Sequence, residues 1–239
     1  MDRLAEKLVQ GCKVLADDGQ GDLIWGHVAA RSPSRPGCIL MKPAGIGLEE
    51  MECDDIITVD LAGERTGGNR PRHLEVFIHT EIMRARPEVQ AVVHTHPPHA
   101  VAFSALCRPL LPIGHEGSLY CDGLPVFDHT SDLIVSPDLG QAVATCLDGH
   151  NALLLRNHGI VTAGRSIEEA VMTAVLLEKA CKMQLLVEHA GGARASTDPD
   201  EAKIKRERIY GQESLQLAFD YCVRRYNARH TNGAHHGQN

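Results

Sequence analysis

His94 and His96 stand one residue apart at the end of a short apolar run, Val89–His94. In an extended chain residues i and i+2 project from the same face, so both imidazoles can reach one ion. Imidazole ligates metals near neutral pH because it is largely uncharged there. A third histidine, His158, follows a second apolar run in Leu153-Leu154-Leu155-Arg156-Asn157-His158-Gly159. Ligands gather where strands of α/β sheets end, and a glycine after the histidine allows close approach of backbone or substrate. Glu75 lies in Arg72-His73-Leu74-Glu75-Val76-Phe77, an acid among apolar neighbours. Singly, each has a plain structural reading: a hydrogen-bonded pair at a strand end, a turn histidine, an acid at a helix start. Together, three imidazoles and one carboxylate form a donor set for a divalent transition metal that keeps an exchangeable position.

The elements that must position these groups can be read from periodicity. Leu4, Leu8, Val9, Cys12 and Leu15 recur at helical spacing, which predicts a helix over 2–17 ending near Gly19. Short strand-like runs follow at Leu23–Ala30, Cys38–Met41 and Ile56–Val59, separated by Pro/Gly turns. Residues 74–86 read as a helix stopped by Pro87, and the chain turns at Pro97-Pro98 after the His94 strand. Ser136-Pro137 opens a helix to about Leu147, an N-cap followed by proline at the first helical position. Ala152–Leu155 and Ile160–Ala163 read as strands on either side of the Asn157-His158-Gly159 turn. Ser166-Ile167-Glu168-Glu169 has capping-box spacing and opens a long helix to about His189. Pro199 starts a last helical stretch to about Arg225, broken near Gly211. Helices flanking several short strands imply one α/β/α layered domain with a mixed sheet, over 1–228. The polar stretch 229–239, which holds His230, His235 and His236, reads as a disordered tail.

Composition narrows the function. The 239 residues carry a formal net charge of −7 and 43% hydrophobic residues, enough for a sizeable core and too acidic for nucleic acid as a main partner. No run approaches the ~20 apolar residues that cross a bilayer, and Met1-Asp2-Arg3-Leu4-Ala5-Glu6-Lys7 is no signal peptide. The expectation is a soluble, cytoplasmic chain with no membrane partner. The 8 cysteines are scattered without a Cys-x-x-Cys pair and read as reduced.

A carboxylate, then His-x-His after a strand, then Asn-His-Gly after a later strand resembles the class II aldolase/adducin family, over roughly residues 5–190. The resemblance implies a three-layer α/β/α fold with a mixed, mainly antiparallel central sheet. It also implies a homotetramer with active sites between subunits and one catalytic divalent ion per subunit, Zn²⁺ or Mn²⁺. His94, His96 and His158 match the family's metal histidines, and Glu75 matches the carboxylate that binds the ion at rest and serves as acid/base. The chain departs from the family's sugar-phosphate aldolases where they hold phosphate. The positions for Gly-Asn-x-Ser, Thr- or Ser-Gly and Ser-Ser read Gly26-His27-Val28-Ala29, Ala44-Gly45 and His73-Leu74. A phosphate dianion left with fewer N–H and O–H partners loses a few kcal/mol, about 1.5–3 per charge-assisted bond, so a sugar phosphate is not expected.

What replaces those hydroxyls is apolar (Ala29, Ala44, Leu74) together with possible donors at His27, Arg31, Lys42, Arg72 and His73. That combination suits a flat molecule carrying carboxylates. The Gly-His-Val stretch, the His94–His99 segment and Pro112-Ile113-Gly114-His115-Glu116-Gly117 resemble the family's decarboxylase branch, which includes enzymes acting on dihydroxyphthalates and hydroxylated pyridine dicarboxylates. The expected activity is metal-dependent decarboxylation of an ortho-hydroxy aromatic acid. In it the ion takes the ring oxygen and adjacent carboxylate, Glu75 and His115 are catalytic, and His27, Gly45, Arg72 and His73 bind substrate. The alternative is aldol cleavage of an unphosphorylated hydroxy-carbonyl compound through an enediolate. A non-catalytic, adducin-like scaffold predicts degraded ligands, and all four are present.

Overall fold

In the computed structural model, residues 3–231 are described. Their frame is an eight-stranded sheet. The first five strands are β1 (His27–Arg31), β2 (Cys38–Met41), β3 (Ile57–Asp60), β4 (Arg65–Gly67) and β5 (Ala91–Thr95). The last three are β6 (Val126–Phe127), β7 (Ala152–Leu155) and β8 (Gly159–Gly164). Their order is β4-β3-β2-β1-β5-β8-β7-β6. Every pairing is antiparallel except β6 with β7, so the sheet is mixed and mainly antiparallel.

Both faces are covered, and the strands therefore lack the polar alternation of a solvated sheet. On one side, α2 (Val76–Ala85) and α4 (Pro137–Leu147) pack with Ala29, Val92, Leu153 and Leu155. On the other, α1 (Arg3–Leu15), α3 (Pro98–Ser104), α5 (Ile167–His189) and α7 (Gln212–Thr231) enclose Val28, Ala30, Ala91, Val93 and Leu154. Successive residues of β1 and β5 alternate between the two cores, as the period of two requires. The short helix α6 (Pro199–Ile209) lies beside a single 3₁₀ turn, Glu116–Tyr120. This is the three-layer α/β/α arrangement expected from the sequence. Among the described residues no helix is long and apolar enough to cross a membrane.

Local signals locate several ends correctly. Ser136 Oγ accepts from Leu139 N at 3.3 Å and Ser166 Oγ from Glu169 N at 3.1 Å, so both serines cap their helices. The reciprocal half of the Ser166 box is diverted, because Glu169 accepts from Arg165 N at 2.7 Å instead. All eight cysteines are free.

Other boundaries differ from the sequence reading. The run 23–30 is a strand only from His27, since Leu23 (φ 50°) and Gly26 (φ 77°) are left-handed and shape a tight turn closed by Trp25 N to Asp22 O, 2.9 Å. The Pro97-Pro98 turn continues into a helix, with Pro98 at the first helical position. The short strands β4 and β6 have too few residues to show a period. Helix α7 runs on to Thr231, and His230 stacks on Tyr226 with centroids 4.0 Å apart, so the stretch expected as a tail begins inside a helix. His235, His236 and the rest of 232–239 lie outside the described residues.

Candidate functional site

Four elements meet at one end of β5. His94 is the second-to-last residue of that strand, paired in register with His27 of β1, and His96 follows just beyond it. The hairpin between β7 and β8 brings His158. Leu155 pairs with Gly159, and Asn157 adopts φ 58° in the three-residue turn between them. Gly159 is required by close approach, because a Cβ there would stand 2.5 Å from the Thr95 carbonyl oxygen and 2.8 Å from His96 Cδ2. Glu75 sits at the N-cap of α2 but turns its carboxylate away from the helix, accepting from Ile134 N at 2.9 Å.

One ligand atom from each of Glu75, His94, His96 and His158 lies within 4.8 Å of the others. His96 Nε2 is 3.1 Å from His94 Nε2, Glu75 Oε2 is 3.4 Å from His94 Nε2, and Glu75 Oε1 is 3.6 Å from His158 Nε2. Donors of a four-coordinate ion with ~2.1 Å bonds stand about 3.4 Å apart, so these separations fit one. The far ring nitrogens support the same reading. His94 Nδ1 donates to the Ile160 carbonyl at 2.8 Å and His96 Nδ1 to Asp22 Oδ2 at 3.0 Å, leaving each Nε2 as a lone pair. Both ring nitrogens of His158 are buried without a hydrogen-bond partner. Such an orphan costs about 1–3 kcal/mol and is accounted for by an ion taking one of them.

Electrostatics act on two of these donors, Glu75 and His96, to keep them unprotonated. Burial opposes ionisation of Glu75, yet His94, His158 and the Ile134 N–H hold its carboxyl well below the usual range. Burial, then the neighbouring His94 and His158, pushes His96 down to about 4. Behind the four lies a second layer of histidines. His27 Nδ1 and His79 Nε2 share a proton at 2.6 Å, and the His27 ring stands 4.3 Å from that of His73 and 5.0 Å from that of His94. Burial lowers His79 and His73 to about 3 each and His27 well below its ordinary value.

In front of Glu75 opens a cleft of about 230 Å³. Its walls are apolar at Ile24, Trp25, Leu74 and Leu133, with Gly45, Arg72 and His73 completing them. Arg72 donates to the His73 carbonyl at 3.0 Å and lies 5.7 Å over the Phe77 ring.

Of the sequence-predicted site residues, the structure brings together Glu75, His94, His96 and His158 and lines the adjoining cleft with Gly45, Arg72 and His73. His27 is buried behind His94 and is not on the cleft wall. His115 is exposed at the start of the Glu116–Tyr120 turn and converges neither with the four ligands nor with the cleft. Arg31 turns to the other side, donating to the carbonyls of Val89, Met83 and Arg86, which close α2 and lead into β5. Lys42 is wholly buried, holding the Ile24 and Pro43 carbonyls at 3.2 Å each. Sequence reasoning missed Asp22, Ile134, Trp25 and Leu133. Trp25 alone carried a signal, as the sole tryptophan of the chain.

Comparison with known proteins identifies relatives of this chain and of its fold. The family model described as the Class II Aldolase and Adducin N-terminal domain matches residues 6–185. A 3,4-dihydroxyphthalate decarboxylase of Arthrobacter keyseri is 31% identical over 93% of this chain and 94% of its own length. A 4-hydroxy-3-prenylphenylpyruvate oxygenase/4-hydroxy-3-prenylbenzoate synthase of Streptomyces roseochromogenus subsp. oscitans is 35% identical over 80% of this chain and 68% of its own. Among solved structures, an L-fuculose 1-phosphate aldolase from Glaciozyma antarctica PI12 superposes with TM-score 0.84 at 27% identity, covering 98% of this chain and 92% of that one.

Proposed function

This chain belongs to the class II aldolase and adducin family, and we infer that within it the chain is a metal-dependent decarboxylase of ortho-hydroxy aromatic acids. The observation that carries this reading is a complete His₃Glu donor set opening on an apolar, slot-like cleft with one guanidinium and none of the hydroxyls that a phosphate needs. The relative named as a 3,4-dihydroxyphthalate decarboxylase acts on a ring of that kind, which supports it.

Glu75, His94, His96 and His158 would hold the ion, Zn²⁺ or Mn²⁺. When bound it supplies Lewis acidity toward the substrate's phenolic oxygen and adjacent carboxylate. The chain's own groups do the rest. Trp25, Ile24, Leu74 and Leu133 hold the ring and exclude water, which strengthens every charge interaction inside the cleft. Arg72 anchors a second carboxylate. Glu75 Oε2 would first take the substrate's phenolic proton. As the bond from ring carbon to carboxylate breaks and CO₂ leaves, the electron pair stays on the ring carbon and Glu75 Oε2 returns that proton there. The phenolate product regains one from water on release. The Ile134 N–H on Oε1 keeps the other oxygen of Glu75 aimed during that transfer.

In this reading the protein is a cytoplasmic homotetramer with sites between subunits. Leu23, Ile24, Trp25, Leu74, Leu133 and Val135 are exposed large apolar side chains, four of them on the cleft wall, which supports coverage by a neighbouring copy. His115, exposed in one chain, would then act at a neighbour's site.

The metal-loaded protein should release CO₂ from hydroxyphthalates or hydroxylated pyridine dicarboxylates. No CO₂ from either class overturns the reading. Aldehyde release from an unphosphorylated hydroxy-carbonyl compound would replace it with aldol cleavage, the activity named for the structural relative.

A further inference from the structure

The stretch Asp17–Asp22 joins the C-terminal helix to the ligand pair of β5. At its start Asp17, almost out of water, accepts from Arg225 at 2.9 and 2.7 Å and from Arg229 at 2.7 Å, both on α7. In its middle the buried Gln20 accepts from Thr95 Oγ1 at 2.7 Å, the hydroxyl of the residue between His94 and His96. At its end Asp22 Oδ2 takes the Nδ1 proton of His96 at 3.0 Å. Three of these six residues, Asp17, Gln20 and Asp22, thus tie a helix 208 positions away in sequence to one face of the candidate metal site.

Each of the three ligand rings is oriented differently. His94 is fixed by a backbone carbonyl, His158 Nδ1 has no hydrogen-bond partner among the described residues, and His96 is fixed by a carboxylate. A carboxylate on the far nitrogen sets the tautomer and ring rotation and makes the metal-facing nitrogen more basic. Asp22 is itself half-exposed, so as a plain surface ion pair it would contribute little to stability. Its value lies in where it holds His96. Its own place depends on a short turn, Asp22–Trp25, and on the Gln20 and Asp17 anchors behind it.

Resting on the metal reading given under the proposed function, we propose that Asp22 is a positioning residue for His96, and that the Arg225/Arg229 clamp on Asp17 sets Asp22 in place. The C-terminal helix thereby governs ion affinity without touching the ion.

The experiment is calorimetric titration of the chelator-stripped full chain with Zn²⁺ and Mn²⁺, alongside thermal melting of the stripped protein. Asp22→Asn and Asp22→Ala should bind 10–100-fold more weakly, the usual cost of losing such a partner, with the melting of the stripped protein unchanged. The pair Arg225→Gln/Arg229→Gln should also weaken binding, and adding Asp22→Asn to it should weaken binding by less than the product of the two separate losses, because both act through one aspartate. Should that pair fail to fold, Arg229→Gln alone, at the more exposed arginine, gives the same readout. Wild-type affinity in both Asp22 variants overturns the proposal, and a clamp variant that melts lower yet binds with wild-type affinity overturns its second half. A wild-type chain that binds neither ion sinks the metal reading and this inference with it, whereas tight binding by wild type and both Asp22 variants alike sinks this inference alone.

Discussion

Glu75 and the histidines around it are each constrained by a different partner, and the consequences of removing them differ accordingly. Glu75→Gln keeps an oxygen for the Ile134 N–H but cannot deliver a proton. CO₂ release should therefore fall by about 10²–10⁴-fold, the usual worth of a positioned general acid, in a protein that still folds. Steady-state rates on the accepted aromatic acid check this. His79 belongs to no reaction step, but it is fully buried and held to about 3 by burial, with His94 and His73 adding to the effect. Its unfolded counterpart titrates near 6.5, so above that pH both states are neutral and the group's contribution is fully present. As pH falls from about 6.5 toward 3, the unfolded chain takes up a proton that the folded chain refuses, and stability drops by about 1 kcal/mol per pH unit from this imidazole. Urea unfolding of stripped protein across that window should show a steeper decline than the His79→Gln variant.

The elements that carry these side chains are held by contacts of their own. At the β7–β8 hairpin, Gly159→Ala would drive a methyl against the Thr95 carbonyl and the His96 ring. We expect a loss of about 1–3 kcal/mol and weaker ion binding, read by denaturant unfolding and titration on the same sample. Helix α3 begins under the buried carboxylate of Glu178 on α5. That carboxylate accepts from His99 N at 3.1 Å, Ala100 N at 2.9 Å and His99 Nδ1 at 2.5 Å. Glu178→Ala strands those donors and should cost about 1–3 kcal/mol in urea unfolding while leaving ion affinity in place. The start of α3 was not legible in the chain. Pro97-Pro98 reads equally as a turn, and the group that satisfies the helix start comes from 78 residues away. By contrast the starts of α4 and α5 were legible, because Ser136 and Ser166 cap from within three residues of the donors they satisfy.

In the whole molecule the sheet is a rigid floor with a core on each face, and the four ligands gather at one end of it from residues 75 to 158. An ion that binds only the folded chain adds stability in proportion to its excess, about 2.7 kcal/mol at 100 times its dissociation constant. Melting of stripped protein should therefore rise by several degrees on adding Zn²⁺ or Mn²⁺, and not at all in a His94→Ala/His96→Ala/His158→Ala variant; equal shifts in both would disprove a shared site. Residue types and spacings alone pointed to the layered class, the capped helix starts and the candidate donors at Glu75, His94, His96 and His158. Those features repeat at short range, since the two-residue strand period puts His94 and His96 on one face. The resemblance to the family's sugar-phosphate aldolases implies that Ala29, Ala44 and Leu74 stand where those enzymes hold phosphate with hydroxyls. Folding decided the rest: that Asp22 orients His96, that Ile134 aims Glu75, that His27 stands behind the ligands, and that His115 and Arg31 turn elsewhere. Each of those depends on contacts between segments tens of residues apart, joined only by loop geometry and sheet order, and no local period or cap records which distant backbone will arrive.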